Sequence, residues 1–224
     1  IILLLLPLLL LQLFTPTRAA TCTSNKIDIV LCLDGSYSMG SGYDDVQAFA
    51  IKVVNKFTIS PTETRIAVYR YETDVDVSGA PTTNGFSGTQ QTIIDAINKP
   101  LPGGITYTDK CIVKADELFT ASARPGVGKL LLVLTDGTPT DQGAAETAAT
   151  AAIANGITIV GVGANVGGAR DNVLALTSNK CALPTGCSSG LQGPPACVTP
   201  CDDHYIDAST FAALDSLVDN VVDL

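Results

Sequence analysis

Hydrophobic and polar positions along the chain follow two alternating periods. IDIVLCLD (27–34) is almost continuously apolar, as a strand covered on both faces is. KLLLVLTD (129–136), GITIVGVG (156–163) and HYIDA (204–208) have the same short, aliphatic character. TRIAVYRYE (64–72) and DVDVSG (74–79) lie close together with alternating faces and predict a hairpin. Helical spacing fills the gaps. DDVQAFAIKVVNKF (44–57) repeats apolar residues every three or four positions, with acids in its first turn. TQQTIIDAIN (89–98), TDKCIVKADELF (108–119), TDQGAAETAATAAIAN (140–155), ARDNVLALT (169–177) and DASTFAALDSLVDNVVDL (207–224) behave alike. Strands alternating with helices imply right-handed crossovers. The expected fold is α/β and doubly wound: a mostly parallel six-stranded sheet with one antiparallel edge strand and helices on both faces.

Two stretches break the rhythm. Residues 1–14, IILLLLPLLLLQLF, are apolar and followed by TPTRAATC, which predicts a secretory signal spanning 1–20 and a mature chain starting near residue 20 or 21. The run is short for a bilayer span and is interrupted by Pro7 and Gln12, so an uncleaved N-terminal anchor is the lesser reading. NKCALPTGCSSGLQGPPACVTPCDD (179–203) is rich in Gly, Pro and Ser and holds Cys181, Cys187, Cys197 and Cys201. It reads as a disulfide-stapled insert ahead of the last strand, at the strands' amino ends, with Cys22 a candidate partner for one of the four. Cys32, inside a core strand, and Cys111, inside a helix, are expected to be buried thiols.

Composition narrows the function classes. The chain carries a formal charge of −9, and only 16% of its 224 residues are charged, against about a quarter in average proteins. One sizeable core fits that length. An acidic domain is not drawn to phosphate backbones or anionic lipid, so neither nucleic acid nor direct membrane contact is expected.

The chemistry collects where strands end. In an open α/β sheet, ligands bind beyond the carboxyl ends of the strands, where the strand order switches. The first strand ends on Asp34, followed by Ser36 and Ser38; LLLVLTDG ends on Asp136; and GGITYTD (103–109) brings Thr106 in behind two glycines. Neutral hydroxyls beside two carboxylates make a poor acid–base pair and a good oxygen cage for a hard divalent cation. Mg²⁺ takes six oxygens at about 2.1 Å and keeps several waters. Asp-Gly-Ser after a strand is also a common turn and helix cap. The three segments together outweigh that reading.

Asp34-Gly35-Ser36-Tyr37-Ser38, Thr106 in GGITYT and Asp136 in VLTDG resemble the von Willebrand factor A-type (integrin I-like) domain, over about residues 26–224. The resemblance implies a metal-ion-dependent adhesion site: Ser36, Ser38 and Thr106 holding Mg²⁺ (or Mn²⁺) directly, with Asp34 and Asp136 acting through water. It implies a secreted, non-enzymatic module whose cation takes a carboxylate from an extracellular protein partner. The alternative is a metal-free structural A-domain of a matrix assembly. Tyr37 stands where the family often has glycine, and Tyr107 separates the two threonines, so this rim is bulkier.

Enzyme readings fare worse. A phosphatase of the haloacid-dehalogenase type needs a second acid where Ser36 stands. A serine hydrolase needs a nearby histidine, and His204, the single one, precedes the last strand. RPGVGKL (124–130) lacks the first glycine and the final hydroxyl of a P-loop.

Overall fold

A computed structural model of the chain describes residues 26–76, 85–178 and 204–219. Among the described residues, six strands form one sheet in the order β3-β2-β1-β4-β5-β6. They are β1 Ile27–Asp34, β2 Thr64–Tyr71, β3 Val75–Asp76, β4 Gly128–Thr135, β5 Thr158–Ala164 and β6 Tyr205–Ala208. All neighbours are parallel except β2 and β3, so the expected architecture is the one observed. From β1 the chain winds outward through β2 to β3, then returns to build β4, β5 and β6 on the other side. The order therefore reverses between β1 and β4, and the crevice lies beyond their carboxyl ends.

Alternation along β1 divides the core. Ile29, Leu31 and Leu33 face α1 (Tyr43–Asn55), α2 (Gln90–Ile97) and the 3₁₀ segment Phe211–Leu217. Val30 and Cys32 face α3 (Thr108–Ser122) and α4 (Gln142–Ala154). Asp44 and Asp45 open α1 and Lys52 closes it, which matches the helix dipole. Asp141 caps α4 by accepting from the Ala144 amide at 2.9 Å.

Several boundaries differ from the sequence reading. The period over 169–177 yields a 3₁₀ turn at Gly167–Ala169 and a short α5, Arg170–Leu174. The final period yields 3₁₀ winding after β6, where the Thr210 hydroxyl caps Ala213. Lys52 of α1 and Lys56 just after it pair with Asp215 and Asp219 and hold the chain after β6 along the helix. Segment 1–20, Cys22, the end of the second hairpin strand (77–79), the insert 179–203 and the end of the final period (220–224) lie outside the described residues. The insert's flanks emerge at the amino ends of the strands: Ser178 bonds Ile159, and the His204 carbonyl accepts from the Gly161 amide.

Cys32 and Cys111 are not free thiols. Both are buried, and they form a disulfide between β1 and α3 with 6.2 Å between their α-carbons. Cys32 belongs to the face of β1 that α3 crosses, so two cysteines that look solitary in sequence meet across one layer of core. Removing the bond with Cys32→Ala and Cys111→Ala is expected to lower stability by about 2–4 kcal/mol. Urea unfolding of the double variant checks it, and an unchanged midpoint would show that the link adds nothing.

Candidate metal site

Where β1 ends, the chain turns over the crevice between β1 and β4. The Gly35 amide donates to the Tyr71 carbonyl at 2.8 Å, and the Gly35 carbonyl accepts from Gly103 at 2.9 Å. The Tyr37 amide donates to the Gly104 carbonyl at 3.1 Å. These bonds lay the 103–106 loop against the Asp34–Ser38 turn. Gly103 and Gly104 have φ of 76° and 137°, a region that L side chains rarely occupy, so the glycine pair sets the loop's course.

Four of the five expected site residues join in one hydrogen-bonded chain. Asp34 Oδ1 accepts from the Ser36 amide at 2.9 Å, and the Ser36 and Ser38 hydroxyls are 2.9 Å apart. The Ser38 hydroxyl donates to Asp136 Oδ1 at 2.9 Å. Thr106 reaches the same rim through its backbone: its amide donates to the Thr140 hydroxyl, and its carbonyl accepts from the Thr140 amide at 2.7 Å. Thr140 is a positioning residue that the sequence offers no signal for. The other oxygen of Asp34 accepts from the Thr135 hydroxyl at 2.7 Å, below the rim. Beside it the Tyr71 phenol stays neutral, held well above its ordinary range by burial and then by the Asp34 charge.

The electrostatics of β1 show what the site lacks. Two carboxylates on this strand are completely buried, Asp28 at its start and Asp34 at its end. Burial pushes Asp28 up, but two arginines more than offset that and hold it below the ordinary range. Arg65 binds it through two nitrogens at 2.8 and 2.7 Å, and Arg124 adds its backbone amide and Nε. Asp34 has hydrogen bonds but no cation: none of the ion pairs among the described residues includes it. Burial raises it to about 6, against opposing hydrogen bonds, and the nearby Asp136 charge adds to the rise. Asp136 is raised as well, again by burial, with the Ser38 hydrogen bond opposing. A buried carboxylate short of positive charge, ringed by hydroxyl oxygens, fits a hard oxygen-seeking cation.

The sequence profile of the von Willebrand factor type A domain matches residues 28–189. The chain belongs to that family. This A-domain is 34% identical over 138 residues to the collagen alpha-1(XII) chain of Notophthalmus viridescens, a match covering 56% of the chain and 14% of that protein. Against matrilin-3 of Gallus gallus it is 27% identical over 203 residues, covering 88% of the chain and 39% of the relative. The A-domain thus spans well under half the length of these relatives. Among solved structures, proximal thread matrix protein 1 from the mussel byssus superposes with a TM-score of 0.71 at 18% identity, over 89% of this chain and 48% of that one. That protein has also been solved with zinc occupying its metal-ion-dependent adhesion motif. Among the described residues of the A-domain, no helix is long and apolar enough to cross a membrane.

Proposed function

We propose that this A-domain is an extracellular binding module that holds Mg²⁺ or Mn²⁺ at its rim and uses it to capture a carboxylate of a protein partner. The observation that carries this reading is Asp34, a fully buried carboxylate that pairs with no basic side chain among the described residues, on a strand whose other buried carboxylate has two arginines. Ser36, Ser38 and Thr106 would hold the ion directly, with Asp34 and Asp136 set behind water. When bound, the cation supplies a coordination position for an anionic oxygen. Three neutral hydroxyls leave most of its charge unanswered, so a carboxylate from outside is favoured there. The sequence likeness to a collagen chain and to matrilin-3 supports an extracellular setting. We read the module as non-enzymatic: His204 lies at the amino end of β6, across the sheet from Ser36.

Calorimetric titration of the metal-free domain with Mg²⁺ or Mn²⁺ is expected to show saturable binding at millimolar concentration or below. Capture from an extracellular extract should yield a protein that EDTA releases. No divalent binding would overturn the reading and leave the metal-free structural A-domain of a matrix assembly in its place.

A further inference from the structure

The rim of the site carries an apolar collar. Tyr37 and Ile105 are two of the three large hydrophobic side chains that stand exposed among the described residues, at 76% and 46%. Neither position is incidental. Tyr37 lies between Ser36 and Ser38, and Ile105 lies next to Thr106, so each directly neighbours a hydroxyl assigned to the cation. The Tyr37 ring rests on Gly103, where an added Cβ would run into it, and its amide is tied to the Gly104 carbonyl at 3.1 Å. An aromatic ring held in place before binding loses little freedom when a partner covers it. The surroundings are acidic. The Glu72 carboxylate packs against Gly104, Asp136 accepts from the Ser38 hydroxyl, and the chain as a whole is at −9; the nearby cation, Lys110, is turned onto the Tyr107 ring and the Thr73 carbonyl.

We infer that Tyr37 and Ile105 select the partner: a segment with a single Asp or Glu whose immediate neighbours are apolar, and not an acidic run. This rests on the carboxylate-capture reading above and specifies it. The lone carboxylate reaches the cation, its apolar neighbour covers the collar, and additional acids are repelled by Glu72. Exposed aromatic anchors beside a polar hot spot commonly dominate binding energy.

The test uses the full chain in Mg²⁺ and two short synthetic peptides, each with one central Asp, flanked in one by Leu and Phe and in the other by Ser. The apolar-flanked peptide is expected to bind about tenfold tighter or more. In a Tyr37→Ser, Ile105→Ser variant that advantage should fall to near unity while calorimetric Mg²⁺ affinity stays unchanged. Equal binding of the two peptides, or a preference that survives both substitutions, overturns the collar and leaves carboxylate capture standing. Mg²⁺ binding with neither peptide captured overturns carboxylate capture, and the inference with it.

Discussion

Asp34→Asn is expected to make the metal-free domain more stable at neutral pH and to abolish its response to Mg²⁺. Asp34 rises from an ordinary value of 3.8 to about 6 in the fold, so folding penalises its charged form. Between about pH 4 and pH 6 the native state keeps a proton that the unfolded chain has released. Stability of the metal-free domain therefore falls as pH rises through that window and stays low above it. The gap amounts to at most about 3 kcal/mol. An amide carries no charge to desolvate. Its oxygen keeps the bond from the Ser36 amide, and its NH₂ meets the Thr135 hydroxyl, which can turn its own proton to the Gly137 carbonyl 3.3 Å away. In wild type, cation at a hundredfold excess over Kd adds about 2.7 kcal/mol; in the variant it should add none. Melting curves at pH 4.5 and 7.5, with and without Mg²⁺, give the comparison. A metal-free variant less stable than wild type at pH 7.5, or one that keeps the Mg²⁺ shift, would show that Asp34 has some other source of compensation.

The opposite end of β1 should respond in the reverse sense. Asp28→Ala is expected to cost about 3–5 kcal/mol, because it strands two guanidinium groups that are only 19% and 20% exposed. Arg65→Ala should cost less, since Arg124 remains on the carboxylate. Arg124 also donates to the carbonyls of Ile27, Pro61 and Glu63, so Asp28 anchors a guanidinium that ties the start of β1 to the loop ahead of β2. Mg²⁺ affinity should be untouched, because the two carboxylates stand six positions, or about 20 Å of strand, apart. Urea unfolding measures the first effect and calorimetry the second. A loss below about 1 kcal/mol, or a parallel fall in Mg²⁺ affinity, would refute this division of labour along the strand.

The meeting of Asp34, Ser36, Ser38 and Asp136 is legible in the sequence because their positions at strand ends mark it. Asp34 and Asp136 close aliphatic strands, and hydroxyls follow at once, so strand-end logic brings them together without knowing any side-chain contact. Asp28 was not legible as a structural anchor, although an acid inside IDIVLCLD calls for a buried partner. Its partners stand 37 and 96 residues away, one of them in a stretch that suggests only a turn. The Cys32–Cys111 link was missed for a similar reason. Each cysteine is plausible as a small buried hydrophobe until β1 and α3 are seen to share one face of the sheet. Over 211–217 the last helical period is met by 3₁₀ winding, because apolar spacing there is compatible with 3₁₀ as well as α. Pairwise facts that depend on how layers stack do not appear in a one-dimensional pattern.

The link between β1 and α3 has a mechanical consequence. A protein pulled from its two ends transmits tension through Cys32 and Cys111, whose sulfurs short-circuit a sequence separation of 79 residues. About 270 Å of potential extension is thereby removed from the load path. Asp34, Ser36, Ser38 and Thr106 all lie within that closed ring, while Asp136 lies beyond it. Under tension that unravels the rest of the domain, four of the five rim residues remain on one covalent loop that carries no load.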